Sequence, residues 1–414
     1  MTRRERVRKA LRFEPTDQVP KDLGAMLSTC VSCFAYPGLV SALGLPYRPP
    51  RVFDTGQMLA LPDPDVLDAL DCDCVFVAAD TATNVLEEPE RWHPYDFNGR
   101  LPARVMAPAS FAAQPDGSIL QHGQSLMPPS SFNFNVPHAG QLLDLTVDPP
   151  KEDLVALAKW HENNRFTPER VAALADYCRR AREATDRAIM FSGLYSGLGF
   201  RGGMAPFSML CMTDPGYVKE LHSIVADHAI AQVELLLPAI APYVDVIMLT
   251  ADDQGTQQAS ILPPDTFAEL FTPAYRRIND ACHRVAPEVF TFMHNCGAIY
   301  DLLDAIIDAG FDALNPVQWS AGGHSYTEWK DRCRKRIALW GGGVNTQTTL
   351  PLGTVADVER EVAEVVKVMA QDSGYIFCGI HNLLAEIPPA KILAMYRTAA
   401  SVPTSTPRCA ATKK

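Results

Sequence analysis

The chain has 414 residues, 47% of them hydrophobic and 21% charged, and a formal net charge of −11. This composition is that of a folded globular protein, long enough for one large domain or two ordinary ones. The acidic balance disfavours a nucleic-acid surface, which needs clustered Lys and Arg. The most apolar stretch, 233–250, is interrupted by Glu234, Pro238, Pro242 and Asp245, so no membrane span is expected. The basic N-terminus lacks the apolar run of a secretion signal, and the eleven cysteines are read as reduced thiols in a cytoplasmic protein.

In chain order, residues 1–13 predict a short amphipathic helix with Val7, Leu11 and Phe13 inward. Eight short apolar runs then predict strands, at 18–23, 74–79, 187–192, 244–250, 289–294, 313–317, 337–341 and 375–378. Stretches with helical spacing of apolar residues, such as 264–286 and 299–309, lie between the later runs. Strands alternating with helices imply a parallel sheet, and eight of them favour a closed (β/α)8 TIM barrel, with an open doubly wound sheet as the alternative. Residues 80–150 break the rhythm: they are rich in Pro, Asn, Ser and Gly, and short strands at 103–106 and 118–122 predict a β-hairpin insertion over one mouth of the barrel. The reading is thus one barrel domain over 1–400 and a disordered tail over 401–414.

Reactive groups of a parallel barrel stand just after its strands. The fifth run ends in His294-Asn295-Cys296, and residues two apart on a strand share a face, so an imidazole and a thiolate can converge on one ion. The last run ends with Cys378 and, three residues on, His381, either of which could complete a three-ligand site. The competing reading is a hydrogen-bonded core histidine beside a buried thiol. Asp252 and Asp253 end the fourth run, where a carboxylate can serve as base, anchor a substrate or orient a ligand, or simply cap the next helix. The glycines after Trp340, Gly341 and Gly342 among them, would let backbone approach a ligand or form a tight strand exit, and Asn315 and Gln318 place two amides at another strand end. Cys30 and Cys33 have CxxC spacing but no second pair, and are read as packing, as are Cys72 and Cys74.

Taken in order, the opening Thr2–Pro20 segment, Asp252-Asp-Gln-Gly-Thr-Gln257, His294-Asn-Cys-Gly297, Gly310-Phe-Asp-Ala-Leu-Asn-Pro-Val-Gln318, Trp340-Gly-Gly-Gly-Val344 and His381-Asn382 resemble the uroporphyrinogen decarboxylase superfamily, in particular its corrinoid-dependent methyltransferase branch. The resemblance implies a TIM barrel in which His294, Cys296 and a third residue, Cys378 or His381, bind zinc that activates a thiol, or, as in relatives that pass methyl to tetrahydrofolate, a site that holds no metal. It implies catalytic roles for Asp252, Asp253, His294 and His381, and cofactor contacts from Gln257, Asn315, Gln318, Gly341 and Gly342. The implied cofactor is a corrinoid (cobalamin) carried by a partner protein. The methyl donor or acceptor is a small molecule: tetrahydrofolate, a thiol, or a methoxy or methylamine compound. A homodimer is admitted, and no nucleic-acid or membrane partner is expected. The decarboxylase proper is the alternative, but its Arg-rich N-terminal substrate motif is absent here, which leaves a polycarboxylate without charge partners.

Overall fold

In the computed structural model, which describes residues 1–78, 82–134, 136–137 and 151–404, seven strands form one parallel sheet. They are β1 (Cys74–Ala78), β2 (Ala188–Ser192), β3 (Val246–Ala251), β4 (Phe290–His294), β5 (Ala313–Asn315), β6 (Ala338–Trp340) and β7 (Tyr375–Ile376), paired in chain order. The expected first strand, 18–23, is reduced to a bridge: Phe377 N–H donates to Pro20, Asp22 N–H donates to Phe377, and Asp73 N–H donates to Lys21. Pro20 has no N–H to extend a ladder, which limits this eighth stave. It nevertheless links the two edges, and the result is a TIM barrel.

Helices connect the strands: α1 (Arg3–Leu11) precedes them, α2 (Pro168–Glu183) leads into β2, α3 (Pro215–Ile240) into β3 and α4 (Thr272–Val285) into β4. The later crossovers carry α5 (Leu303–Asp308), α6 (Tyr326–Cys333) and α7 (Val355–Met369), and α8 (Pro389–Ser401) follows β7. Alternation along each strand divides two cores. Val75, Ile189, Ile247, Met293, Leu314 and Leu339 pack outward under the helices, whereas Cys74, Met190, Met248, Phe292, Trp340 and Cys378 fill the barrel. α3 is long and apolar enough by composition to cross a membrane, but its buried face (Val218, Leu221, Val225, Val233 and Leu237) is the crossover's packing surface.

The N-terminal helix plugs the barrel floor. Thr2 and Glu5 form a capping box, and Val7, Ala10 and Leu11 join Ala188, Ala313 and Ala338 in the interior cluster, small side chains that leave room for the helix. Its arginines reach carboxylates: Arg4 and Arg8 donate to the buried Asp245, and Arg6 to the buried Asp73 and the exposed Asp17.

The accessory region is larger than a hairpin. One sheet runs in the order Val31–Ser32, Leu59–Ala60, Arg51–Asp54, Pro102–Val105, His93–Asp96, so it recruits segments well before residue 80. A second, antiparallel sheet holds Phe111–Ala113, Ile119–Gln121, Ser125–Met127 and Val136–Pro137. The two strands expected to pair with each other thus lie in different sheets. Ser32 and Leu383 tie the first sheet to the loop after β7, since Ser32 N–H donates to Leu383 and Leu383 N–H to Cys30. Residues 79–81, 135, 138–150 and 405–414, which include parts of the expected insertion and most of the expected disordered tail, lie outside the described residues. Ser401 ends α8, and Thr404 Oγ1 donates to Thr16 O, so the tail reading does not hold for 401–404.

Candidate active site

The site is built on the C-terminal ends of β3, β4, β5 and the loop after β7. Along β4, Phe292 and His294 point into the barrel and Thr291 and Met293 away from it. His294 is therefore the last inward residue of its strand, and is 7% exposed. Beyond it, Gly297 (φ +94°) lies so close to Gly255 that a Cβ on either would strike the other's backbone. This crossing of the β3 and β4 loops holds Cys296 beside His294.

His294 is fixed from both sides. Its Nδ1 lies 2.7 Å from Asn315 Oδ1, which also accepts from Ser28 Oγ at 2.7 Å, while Asn315 Nδ2 donates to Trp340 O at 2.8 Å. With the amide oriented by Trp340 O, Nδ1 carries a proton toward Asn315 and Nε2 faces the mouth. There Cys296 Sγ lies at 3.2 Å, and His381 completes a group whose ligand atoms all fall within 4.8 Å of one another. Zinc bonds of about 2.3 Å to sulfur and 2.0–2.1 Å to nitrogen put tetrahedral ligand atoms roughly 3.3–3.6 Å apart. The first pair already matches, and the third needs a side-chain adjustment of about 1 Å. A His, Cys, His donor set with one side open to a cavity fits zinc of the catalytic kind.

The electrostatics favour a thiolate. Burial opposes the charged form of His294, but the Cys296 thiolate and the Asp253 carboxylate outweigh it and push the imidazole up to about 10. Burial also raises the Cys296 thiol, yet His294 and His381 bring it below its usual value. Asp253 Oδ1 accepts the Cys296 N–H at 3.0 Å and lies 3.5 Å from His294 Nε2. Burial works against its ionisation, but His294 holds it down at about 2.

Residues 148–402, more than half of the chain, match the family model for uroporphyrinogen decarboxylase (URO-D). The chain belongs to the uroporphyrinogen decarboxylase family. No curated protein matches it significantly in sequence. Among solved structures, a methyltransferase from Methanosarcina mazei is similar with a TM-score of 0.52 and 16% identity, covering 96% of this chain and 98% of its own, a likeness of fold. Xylanase 10B from Thermotoga maritima has a TM-score of 0.32 at 8% identity over 57% of this chain and 80% of its own. Endo-glycoceramidase II from Rhodococcus sp. has 0.31 at 13% over 57% and 66%.

In this uroporphyrinogen decarboxylase family member the other expected site residues divide sharply. Asp253, Gln257, Cys296, Gln318 and His381 line one cavity of about 280 Å³ at the mouth. Gln318 also orders the turn, its Oε1 accepting Gly297 N–H at 2.8 Å. Cys378 is not in this group: it is 1% exposed among the barrel-interior side chains, where burial raises its thiol well above the ordinary value. Gly341 and Gly342 are buried against β5 and the β7 loop, with Gly341 N–H donating to Ile376 and Trp319 Nε1 to Gly342 O. They form a tight strand exit and offer no surface to a cofactor. Asn315 reaches the site only through His294. Ser28 and Thr346 were not foreseen, and Asn382 was marked only as part of the His381-Asn382 motif: Ser28 backs Asn315, and the other two line the cavity. Neither Ser28 nor Thr346 ends a periodic run.

Asp252 lies off this cavity, with its N–H donating to His294 O at 3.2 Å and its Oδ2 buried against Gly199 without a partner. Burial, and then the charge of Asp253, push its carboxyl up to about 7 from an ordinary 3.8. The folded chain therefore binds more protons than the unfolded chain between pH of about 4 and 7, and stability falls as pH rises through that window. Asp252→Asn is expected to flatten this decline and raise the urea midpoint at pH of about 8. An unchanged pH profile of the midpoint would show that Asp252 is not held protonated. A second expectation concerns Asn315. Asn315→Leu removes the partner that orients the His294 ring and should weaken binding of added zinc to the His294, Cys296 and His381 group about 10–100-fold. Chelator competition measures this, and unchanged affinity would remove Asn315 from the site.

Proposed function

We propose that this protein is a corrinoid-dependent methyltransferase that exchanges a methyl group between the cobalt of a corrinoid on a partner protein and a small acceptor or donor. The observation that carries the reading is the convergence of His294 Nε2, Cys296 Sγ and His381 at the open end of the barrel. Membership of the family and the methyltransferase of the same fold support it.

In this reading the three side chains hold zinc, whose charge lowers the pKa of a bound thiol and leaves it a thiolate nucleophile. The chain's own residues do the rest. Asn315 and Ser28 hold the His294 ring in place, Gln318 fixes the turn that carries Cys296, and Asp253, ionised at neutral pH, balances the added positive charge. The barrel mouth is the only end of the fold where these groups meet, so the corrin face must approach there. Free thiols throughout the described residues suit a reducing compartment such as the cytoplasm.

Acidic substrates fit poorly. None of the residues lining the three cavities at this mouth is Lys or Arg. A porphyrinogen polycarboxylate, or the glutamate tail of tetrahydrofolate, would enter without charge partners. Asp253 and Gln318 could meet a pterin ring, but a small thiol or a methylated amine or ether is the better match. Mixing the zinc-loaded protein with methylcobalamin and a panel of thiols, while recording the cobalamin spectrum, tests the activity. The expected result is enzyme-dependent loss of the methylcobalamin bands. Their persistence with every thiol, with tetrahydrofolate and with free corrinoid plus methylated amines or ethers would overturn the proposal.

A further inference from the structure

A second cavity, of about 260 Å³, opens at the same end of the barrel beside β1, β2 and β3. Its walls are Phe53, Phe76, Met26 and Met248, and its polar groups are Asp54, Ser192 and Tyr195. Phe53 and Phe76 have ring centroids 5.4 Å apart and planes tilted by 55°, so both rings border the same space. Asp54 ends the Arg51–Asp54 strand, where its Oδ1 accepts the Gln57 N–H at 2.7 Å. Among the described residues no Lys or Arg pairs with it: Arg51, at the other end of the strand, is turned to Asp63. Burial raises the Asp54 carboxyl above its ordinary range.

A half-buried carboxylate without a counter-charge is costly, and the surroundings indicate what would offset it. A divalent metal needs several oxygen ligands, whereas the walls offer aromatic rings and thioethers. A neutral apolar ligand would leave Asp54 unpaired, and an anion would be repelled. Aromatic faces around a carboxylate suit a soft, weakly hydrated cation, whose charge the rings attract within about 6 Å of their centres. We propose that this pocket is the anchoring subsite for the small substrate and that it takes an organic cation, an alkylated ammonium group. Calling the occupant the substrate rests on the methyl-transfer reading; the cation site itself does not. Ser192 pairs with Met248 across β2 and β3, and Met248 with Phe292 across β3 and β4. The Ser192 wall of the pocket therefore lies two strand spacings, roughly 10 Å, from Phe292, and His294 stands two residues further along β4 at the same mouth. A substrate anchored here by its ammonium end would extend its other end toward the His294, Cys296 and His381 group.

The test is calorimetric titration of the intact chain with tetramethylammonium, choline and the uncharged isostere of choline in which carbon replaces nitrogen. Both cations should bind at millimolar concentrations or below, and the isostere at least about tenfold more weakly. Asp54→Asn, which keeps the Gln57 contact, should remove that preference, and Phe53→Leu should weaken both cations severalfold. Equal binding of choline and its isostere, no binding of either cation, or an Asp54→Asn protein that still prefers choline would overturn the proposal. If Asp54→Asn does not fold, the wild-type comparison decides by itself. Methyl transfer without cation binding would sink the subsite alone, and cation binding without methyl transfer would sink the proposed activity alone.

Discussion

On the proposed methyl-transfer reading, Cys296→Ser is expected to prevent zinc binding and to lower methyl transfer by at least about 10²-fold, with the fold intact. The thiol is the softest of the three donors, and an alcohol does not ionise to replace it. Disturbing even the surroundings of a zinc ligand costs about 10–100-fold in affinity, so loss of the ligand itself should cost more. His294→Ala and His381→Ala should behave alike, because each removes one corner of a group whose atoms lie within 4.8 Å of one another. Cys378→Ser supplies the contrast. Its thiol sits in the barrel interior at 1% exposure, so it should keep its zinc while losing some stability. Zinc per chain after dialysis, measured for all four variants and the wild type, checks the set. Equal content throughout would remove the ligand assignment.

The largest effect on stability is expected at the opposite end of the barrel. Asp245 is fully buried and accepts from Arg4 Nε at 2.7 Å, Arg8 Nη1 at 2.9 Å, Arg182 Nη1 at 3.3 Å and Ile189 N at 3.0 Å. Asp245→Ala leaves three guanidinium groups facing a cavity, and removing one partner of a buried ion network costs about 3–5 kcal/mol. Helix α1 should detach first, since two of the arginines belong to it. A urea midpoint shifted by the equivalent of less than about 1 kcal/mol would mean that the floor is held by packing alone.

The elements most legible in the sequence were those whose chemistry follows strand periodicity. The run ending at His294 is apolar almost throughout, so its strand-end position and the shared face of His294 and Cys296, two residues on, could be read from spacing. The third member could not. After Tyr375–Ile376 the chain leaves the sheet, and beyond Gly379 no period says that Cys378 faces the core while His381 faces the mouth. The two acidic residues after β3 show the same limit. A register shift between Met248 and Thr250 changes which side chain points inward, so that Asp253 reaches the cavity and Asp252 does not. Residues 31–60 were illegible for another reason. Their strands are two to four residues long, and their pairing with Pro102–Val105, which in turn pairs with His93–Asp96, is set by distant segments rather than by local pattern. Asp54, which those strands carry to the barrel mouth, was invisible for that reason.

X-ray absorption at the zinc edge of the metal-loaded protein tests the central claim most directly. One sulfur at about 2.3 Å and two imidazole nitrogens at about 2.0–2.1 Å, with one light atom from solvent, is the predicted shell. Two sulfurs would place Cys378 at the metal in preference to His381, and a shell without sulfur, or no retained zinc, would contradict the site and the chemistry derived from it.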